Sequence, residues 1–76
     1  MFDFYILKTC PYCKKVIEFM DENNIKYSLK DVADSDKYNE LIKIGGKSQV
    51  PFLVDNNSNV KLYESDEIID YLKNKM

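Results

Sequence analysis

The sequence predicts an α/β domain with a four-stranded mixed sheet and three flanking helices, in the order β-α-β-α-β-β-α. Short runs rich in aromatic and β-branched residues alternate with segments whose apolar residues recur at helical spacing. A polar run at residues 55–59 separates the last two strand-like runs and predicts a tight turn. The chain has 76 residues, 45% of them hydrophobic, which is enough for a single domain over residues 1–76.

The first half of the chain is expected to form a β-α-β unit. Residues 2–7 favour a strand, and Pro11 suits the first position of the helix that follows, because its fixed φ already fits there. The predicted apolar stripe of this helix consists of Cys13, Val16, Ile17 and Met20. Residues 23–24 are both Asn, which tolerates the left-handed conformation of a helix end. Residues 25–32 alternate apolar and polar, and predict a second strand parallel to the first.

The second half is expected to add a helix, a hairpin and a last helix. Residues 34–36 carry helix-starting side chains, and the two glycines at residues 45–46 predict where that helix ends. Residues 52–54 and 60–63 predict two antiparallel strands joined by the polar turn. Ser65 is the predicted N-cap of the last helix. The predicted buried stripe of that helix consists of Ile68, Ile69, Leu72 and Met76.

Two cysteines lie at the first strand-to-helix junction, in the run Cys10-Pro11-Tyr12-Cys13. Cys10 is the predicted cap of the helix, so its sulfur should lie beside the unpaired N–H groups of Tyr12 and Cys13. These groups and the helix dipole favour an anion, which makes Cys10 the expected nucleophile. Cys13 lies one turn inside the helix on its apolar stripe and should be harder to reach and to ionise. A pair spaced this way in a β-α-β pattern predicts thiol redox chemistry, with a metal site as the alternative.

Composition and charge argue against several other classes of function. The net charge is −2, and a nucleic-acid binder would normally carry a basic patch. The chain has no histidine, and two sulfurs fall short of the four ligands of a structural zinc site, so no metal is expected unless two chains share it. No leader pattern is visible and no apolar run is long enough to span a bilayer, so a cytoplasmic protein without membrane contact is expected.

Three motifs together resemble those of glutaredoxins of the thioredoxin fold. Cys-Pro-Tyr-Cys at residues 10–13 is similar to the active-site tetrapeptide of dithiol glutaredoxins, and Gln49-Val50-Pro51 is similar to the family's element with a cis proline. Residues 63–66, Tyr-Glu-Ser-Asp, resemble the Glu-Ser motif of glutathione-transferase N-terminal domains and of glutaredoxins close to them. The resemblance covers essentially the whole chain. It implies a thioredoxin-like fold and a glutathione-dependent thiol–disulfide oxidoreductase.

The resemblance also implies roles for particular residues. Cys10 and Cys13 would be the catalytic pair. The residues expected to contact glutathione are Tyr12, Val50, Pro51, Glu64, Ser65 and Lys8. Glutathione would be a co-substrate, with no bound cofactor. Disulfide-containing or glutathionylated proteins would be the partners of a monomer.

Departures from the family pattern keep alternatives open. Many dithiol glutaredoxins have a lysine three residues before the first cysteine, where this chain has Leu7, with Lys8 one position later. A basic residue often stands three before the cis proline, but here Ser48 does, and Lys47 is one position earlier. One alternative is a glutaredoxin-like redoxin reduced by a thioredoxin-reductase-type flavoprotein. Another is a dimer that binds an iron–sulfur cluster through Cys10. A transferase domain without its helical partner is a third, for which no conjugation activity is expected.

Overall fold

The computed structural model describes residues 2–75, and within that range it confirms the predicted order of elements. The elements are β1 (Phe2–Ile6), α1 (Pro11–Glu22), β2 (Tyr27–Asp31), α2 (Ser35–Gly45), β3 (Phe52–Asp55), β4 (Val60–Leu62) and α3 (Ser65–Lys75). Strands β1, β2 and β4 are each shorter than the sequence pattern suggested. β1 and β4 end one residue early, and β2 begins two residues late and ends one residue early, which is the usual scatter of strand ends. Met76, predicted for the buried stripe of α3, lies outside the described residues.

The four strands of residues 2–75 form one mixed sheet in the order β2-β1-β3-β4. β1 is parallel to β2 and antiparallel to β3, and β3 forms an antiparallel hairpin with β4, as predicted. In the β1–β3 register, Tyr5 near the end of β1 pairs with Phe52 at the start of β3. The C-terminal end of β1 and the N-terminal end of β3 therefore lie side by side, at the same end of the two central strands.

Helices cover both faces of the sheet, and each face has its own apolar core. Alternate residues of a strand point to opposite faces, so neighbours on β1 belong to different cores. On one face, the buried residues of the sheet and of α1 and α3 are Phe4, Ile6, Cys13, Val16, Met20, Leu53, Ile68 and Leu72. On the other face, Leu41 of α2 packs with Tyr5, Val32, Phe52 and Val54. Burying each large apolar side chain contributes roughly 1.5–3 kcal/mol, so the two cores hold both helix layers on the sheet.

The helix ends follow the sequence signals, with one correction. Asp34 caps α2 by accepting the N–H of Asp36, and Gly46 ends that helix at a φ of 82°. The prediction that Ser65 is the N-cap of α3 is wrong. The helix begins at Ser65, and the N–H of Ile68 donates to the carbonyl of Glu64 at 2.8 Å, so Glu64 occupies the cap position. The helix therefore takes in one residue more than the capping preference of Ser65 predicts, and such a preference contributes only about 1 kcal/mol.

A buried carboxylate fastens α3 to the end of β3. Asp55, only 3% exposed, accepts a 2.6 Å hydrogen bond from the hydroxyl of Tyr71, and Lys75 lies 3.5 Å away. The tyrosine hydroxyl, the backbone N–H of Asn57 and the lysine together lower the pKa of Asp55. These contacts favour the ionised carboxylate, so they stabilise the fold wherever Asp55 would be ionised in the unfolded chain.

Replacing Asp55 by alanine is expected to lower the free energy of unfolding by about 2 kcal/mol at pH 7, because a charge-assisted hydrogen bond is lost. A lowered pKa in the folded state means that this stabilisation is fully present at neutral pH, begins to decline as the pH falls below about 4 and is lost below the pKa of folded Asp55. Urea unfolding at pH 7 and at pH 3 measures both values. Asp21→Ala is the matched control, because Asp21 also accepts a tyrosine hydroxyl, from Tyr27 at 3.0 Å, but is exposed. Its loss of stability should be smaller than that of Asp55→Ala. An equal loss for Asp55→Ala at both pH values would contradict the argument.

Candidate active site

The candidate site lies where β1 ends and β3 begins. The chain leaves β1 through residues 7–9 and reaches Cys10, while residues 46–51 lead into β3. The Val50-Pro51 peptide bond is cis, as the sequence resemblance implied. Because Tyr5 and Phe52 pair directly, the cysteine turn and the cis proline lie at the same end of the central strands β1 and β3.

The two cysteines are free thiols in unequal environments. Cys10 is the N-cap of α1, as predicted, and its Sγ accepts the backbone N–H of Cys13 at 3.4 Å. Its side chain is partly exposed, whereas Cys13 is 1% exposed and packs in the core with Val16 and Met20. Burial, with a smaller contribution from the neighbouring Cys10, raises the pKa of Cys13 to about 12. Cys13 is therefore hard to reach and hard to ionise, as predicted, and Cys10 is the sulfur that solvent can reach.

A pocket of about 400 Å³ lies beside the cysteine turn. It is lined by Tyr12, Gln49, Val50, Pro51, Tyr63, Glu64, Ser65 and Asp66. Five of these were predicted as site residues from the resemblance, and the structure brings all five together. Gln49, Tyr63 and Asp66 were not predicted, although each is a sequence neighbour of a predicted residue. That adjacency was the available signal.

The pocket wall combines backbone from the loop before β3 with the first turn of α3. The Nε2 of Gln49 donates to the Oε1 of Glu64 at 3.1 Å, which bridges the two segments. On the α1 side, the Nζ of Lys15 lies 3.1 Å from the Oδ1 of Asp66. Ser65 is 9% exposed and stands at the N-terminus of α3, where N–H groups and the helix dipole favour an anionic group. The pocket thus offers carboxylate oxygens and a helix N-terminus within one cavity.

Lys8 does not line this pocket. Its Nζ lies 3.9 Å from the Oδ2 of Asp31, and its side chain is 82% exposed. Asp31 ends β2, which neighbours β1 on the side opposite to β3, so this contact draws Lys8 away from the cis proline. The structure therefore does not bring Lys8 together with the other residues expected to contact glutathione.

Among residues 2–75, no group of three or more His, Cys, Asp or Glu side chains is arranged to hold a metal ion. No helix within the same range is both long and apolar enough to cross a membrane.

The fold and the site together define a thiol protein of the thioredoxin-fold superfamily, with a cysteine pair at a helix start beside a cis proline. Comparison with known proteins narrows this class. Residues 4–76 match the model of the glutathione S-transferase N-terminal domain, and the chain belongs to that family.

Individual relatives confirm the predicted resemblance to glutaredoxins. Glutaredoxin 1 from Rickettsia conorii is 36% identical over 59 residues, which cover 74% of this chain and 58% of that protein. The crystal structure of glutaredoxin 2 from Salmonella typhimurium in complex with glutathione has a TM-score of 0.81 at 27% identity, over 97% of this chain and 34% of that one. A thioredoxin-like protein of known structure has the same TM-score at 26% identity, over 95% of this chain and 99% of that one. The chain spans from 17% to 62% of the length of the curated relatives it matches.

Proposed function

We propose that the chain is a glutathione-dependent thiol–disulfide oxidoreductase that reduces protein disulfides and glutathione mixed disulfides through Cys10 and Cys13. One observation carries the proposal. A partly exposed sulfur caps a helix, with a buried second thiol one turn away, beside a pocket formed by the cis Val50-Pro51 element and the start of α3. The similarity to glutaredoxins, one of them solved in complex with glutathione, supports the choice of glutathione.

Reduction of a glutathione mixed disulfide needs Cys10 but not Cys13. The Cys10 thiolate attacks the glutathione sulfur, a new S–S bond forms, and the substrate thiolate leaves and takes a proton from solvent. A second glutathione, as thiolate, then attacks the mixed disulfide on Cys10. Oxidised glutathione is released and the Cys10 thiolate is restored, so two electrons pass from glutathione to the substrate.

Reduction of a protein disulfide uses both cysteines. Attack by Cys10 leaves the substrate covalently attached through one sulfur, with the other sulfur released as a thiol. Cys13 then loses its proton and attacks the Sγ of Cys10, which frees the reduced substrate and leaves a Cys10–Cys13 disulfide. Two glutathione molecules reduce that disulfide and emerge as oxidised glutathione.

The pocket matches the chemistry of glutathione at three points. The backbone of Val50, next to the cis proline, would pair with the extended peptide as a strand pairs at a sheet edge. Ser65 and the first-turn N–H groups of α3 would bind the γ-glutamyl carboxylate. Glu64 would meet the ammonium group, and the ring of Tyr12, which is 63% exposed, would cover the bound peptide.

The charges of the pocket favour a second candidate, a redoxin of the same chemistry that is reduced by a thioredoxin-reductase-type flavoprotein. Among the described residues that line the pocket there is no lysine, and Lys8 is paired with Asp31 instead. Glutathione carries two carboxylates, and the N-terminus of α3 would bind one of them. The second carboxylate would have no lysine partner in the pocket, whereas a redoxin reduced by a flavoprotein would not need to bind glutathione.

Exchanging the electron donor in one turnover assay separates the two candidates. With a protein disulfide as substrate, which both candidates would reduce, we expect saturable turnover when glutathione and glutathione reductase supply electrons. We expect no turnover above background when a thioredoxin reductase with NADPH replaces them. The reverse result, in protein whose Cys10–Cys13 disulfide forms and is reduced by dithiothreitol, would identify the flavoprotein-fed redoxin.

A further inference from the structure

Tyr63, which follows β4, holds one residue of the loop before β3 at three points. Its hydroxyl accepts the backbone N–H of Lys47 at 3.2 Å and donates to the carbonyl of the same residue at 3.4 Å. The Nζ of Lys47 also lies 5.5 Å from the centroid of the Tyr63 ring. A single side chain thus contacts both the backbone and the charged end of Lys47.

The Tyr63 ring packs tightly against its neighbours. It stacks on Phe52 with ring centroids 4.5 Å apart and an interplanar angle of 29°, and Phe52 is completely buried. Gly45, at the end of α2, lies next to the hydroxyl end of this ring. A Cβ atom at that position would overlap with the Tyr63 hydroxyl and meet the Phe52 ring at 3.0 Å. The hydroxyl therefore has a defined place, and glycine at position 45 leaves room for it.

The loop held in this way carries the pocket wall. Lys47 lies three residues before Val50, and the other end of the segment is anchored where Phe52 begins β3. Tyr63 lines the same pocket as Gln49, Val50 and Pro51. We propose that Tyr63 is a positioning residue, which sets the backbone of Val50 for substrate binding by holding Lys47. The proposal rests on the function proposed above.

Tyr63→Phe removes the hydroxyl and keeps the ring that stacks on Phe52. We expect the KM for a glutathione mixed disulfide to rise about fivefold and kcat to stay within about twofold, because the lost hydrogen bonds are neutral ones that order the binding wall. Tyr27→Phe is the matched control. This variant loses a hydrogen bond of 3.0 Å from the Tyr27 hydroxyl to Asp21. Tyr27 lies on the edge strand β2, away from the pocket, so the KM of the variant should equal that of the wild type.

Gly45→Ala tests the same contact by a different route. The added methyl group would overlap with the Tyr63 hydroxyl, so we expect it to push this hydroxyl away from Lys47 without removing it. We expect this variant to raise KM in the same direction as Tyr63→Phe, again with little change in kcat. A rise in KM for Tyr63→Phe with an unchanged KM for a folded Gly45→Ala variant would overturn the proposal.

Amide hydrogen exchange tests the contact between Tyr63 and Lys47 independently of enzymatic activity. Exchange at the N–H of Lys47, which donates to the Tyr63 hydroxyl, should be faster in Tyr63→Phe than in the wild type, and unchanged in Tyr27→Phe. Faster exchange with an unchanged KM, or unchanged exchange at Lys47, would overturn the positioning role. Absence of turnover in the wild type would reject the proposed function instead, and the exchange rates would then decide alone whether Tyr63 orders the loop.

Discussion

Replacing Cys10 by serine is expected to abolish turnover of both protein disulfides and glutathione mixed disulfides. The proposed mechanism routes each reaction through a covalent bond to the Cys10 sulfur, and a serine hydroxyl is not ionised at neutral pH. The fall in kcat/KM should reach at least about three orders of magnitude, as for the loss of other catalytic nucleophiles. The measurement is steady-state turnover with glutathione and glutathione reductase.

The same substitution should leave the fold intact, so lost activity cannot be attributed to unfolding. Cys10 caps α1 and accepts the N–H of Cys13 through its side chain, and serine is among the residues preferred for that role. We therefore expect the urea midpoint of Cys10→Ser to equal or exceed that of the wild type. Residual turnover of mixed disulfides above a few per cent, in a folded variant, would show that another group performs the attack.

The fold of this chain was predictable because its local signals agree with one another. A helix between two strand-like runs requires a parallel pair, and a polar turn between two others requires an antiparallel one, which fixes the mixed sheet. Element ends were less predictable. Ser65 was predicted as the cap, but the structure has Glu64 in that position, because the helical hydrogen bonds begin at the Glu64 carbonyl, one residue before the local capping signal.

The residues of the candidate site also differ in whether local sequence could predict them. Cys10 and Cys13 were predictable because their roles follow from their place on α1, a local property. Gln49 and Tyr63 were not, because their contacts join the loop before β3 to the segment after β4 and appear only when the sheet has formed. The position of Lys8 was missed for a related reason, since its ion pair with Asp31 depends on the pairing of β1 with β2.

Removing the Cys13 thiol is expected to separate the two proposed activities. Without Cys13 the intermediate with a protein disulfide cannot be resolved internally, so reduction of protein disulfides should fall by at least about a hundredfold, to the rate at which external glutathione resolves it. Turnover of glutathione mixed disulfides should stay within about twofold of the wild type, because Cys10 and glutathione complete that cycle. Both rates come from the same glutathione reductase assay with two substrates.

Two variants are needed because Cys13 is buried. Serine would place a hydroxyl in the apolar core beside Val16 and Met20, whereas alanine removes the thiol and adds no polar group. Cys13→Ser and Cys13→Ala should show the same kinetic split, although the serine variant should be the less stable of the two. Loss of both activities in the alanine variant would show that Cys13 is needed beyond the internal attack.

The pH dependence of the wild type supplies an independent check of the same step. Burial raises the pKa of Cys13 to about 12, so between pH 7 and pH 9 its thiolate fraction should increase about tenfold per pH unit. If attack by this thiolate limits reduction of a protein disulfide, that rate rises with pH over the same interval. The residual rate of Cys13→Ala should instead follow the ionisation of glutathione, whose thiol has an ordinary pKa of about 8.5, so this rate should level off above about pH 9 while the wild-type rate continues to rise. A wild-type rate that levels off together with that of Cys13→Ala would place the titration elsewhere and contradict the assignment of Cys13 as the resolving thiol.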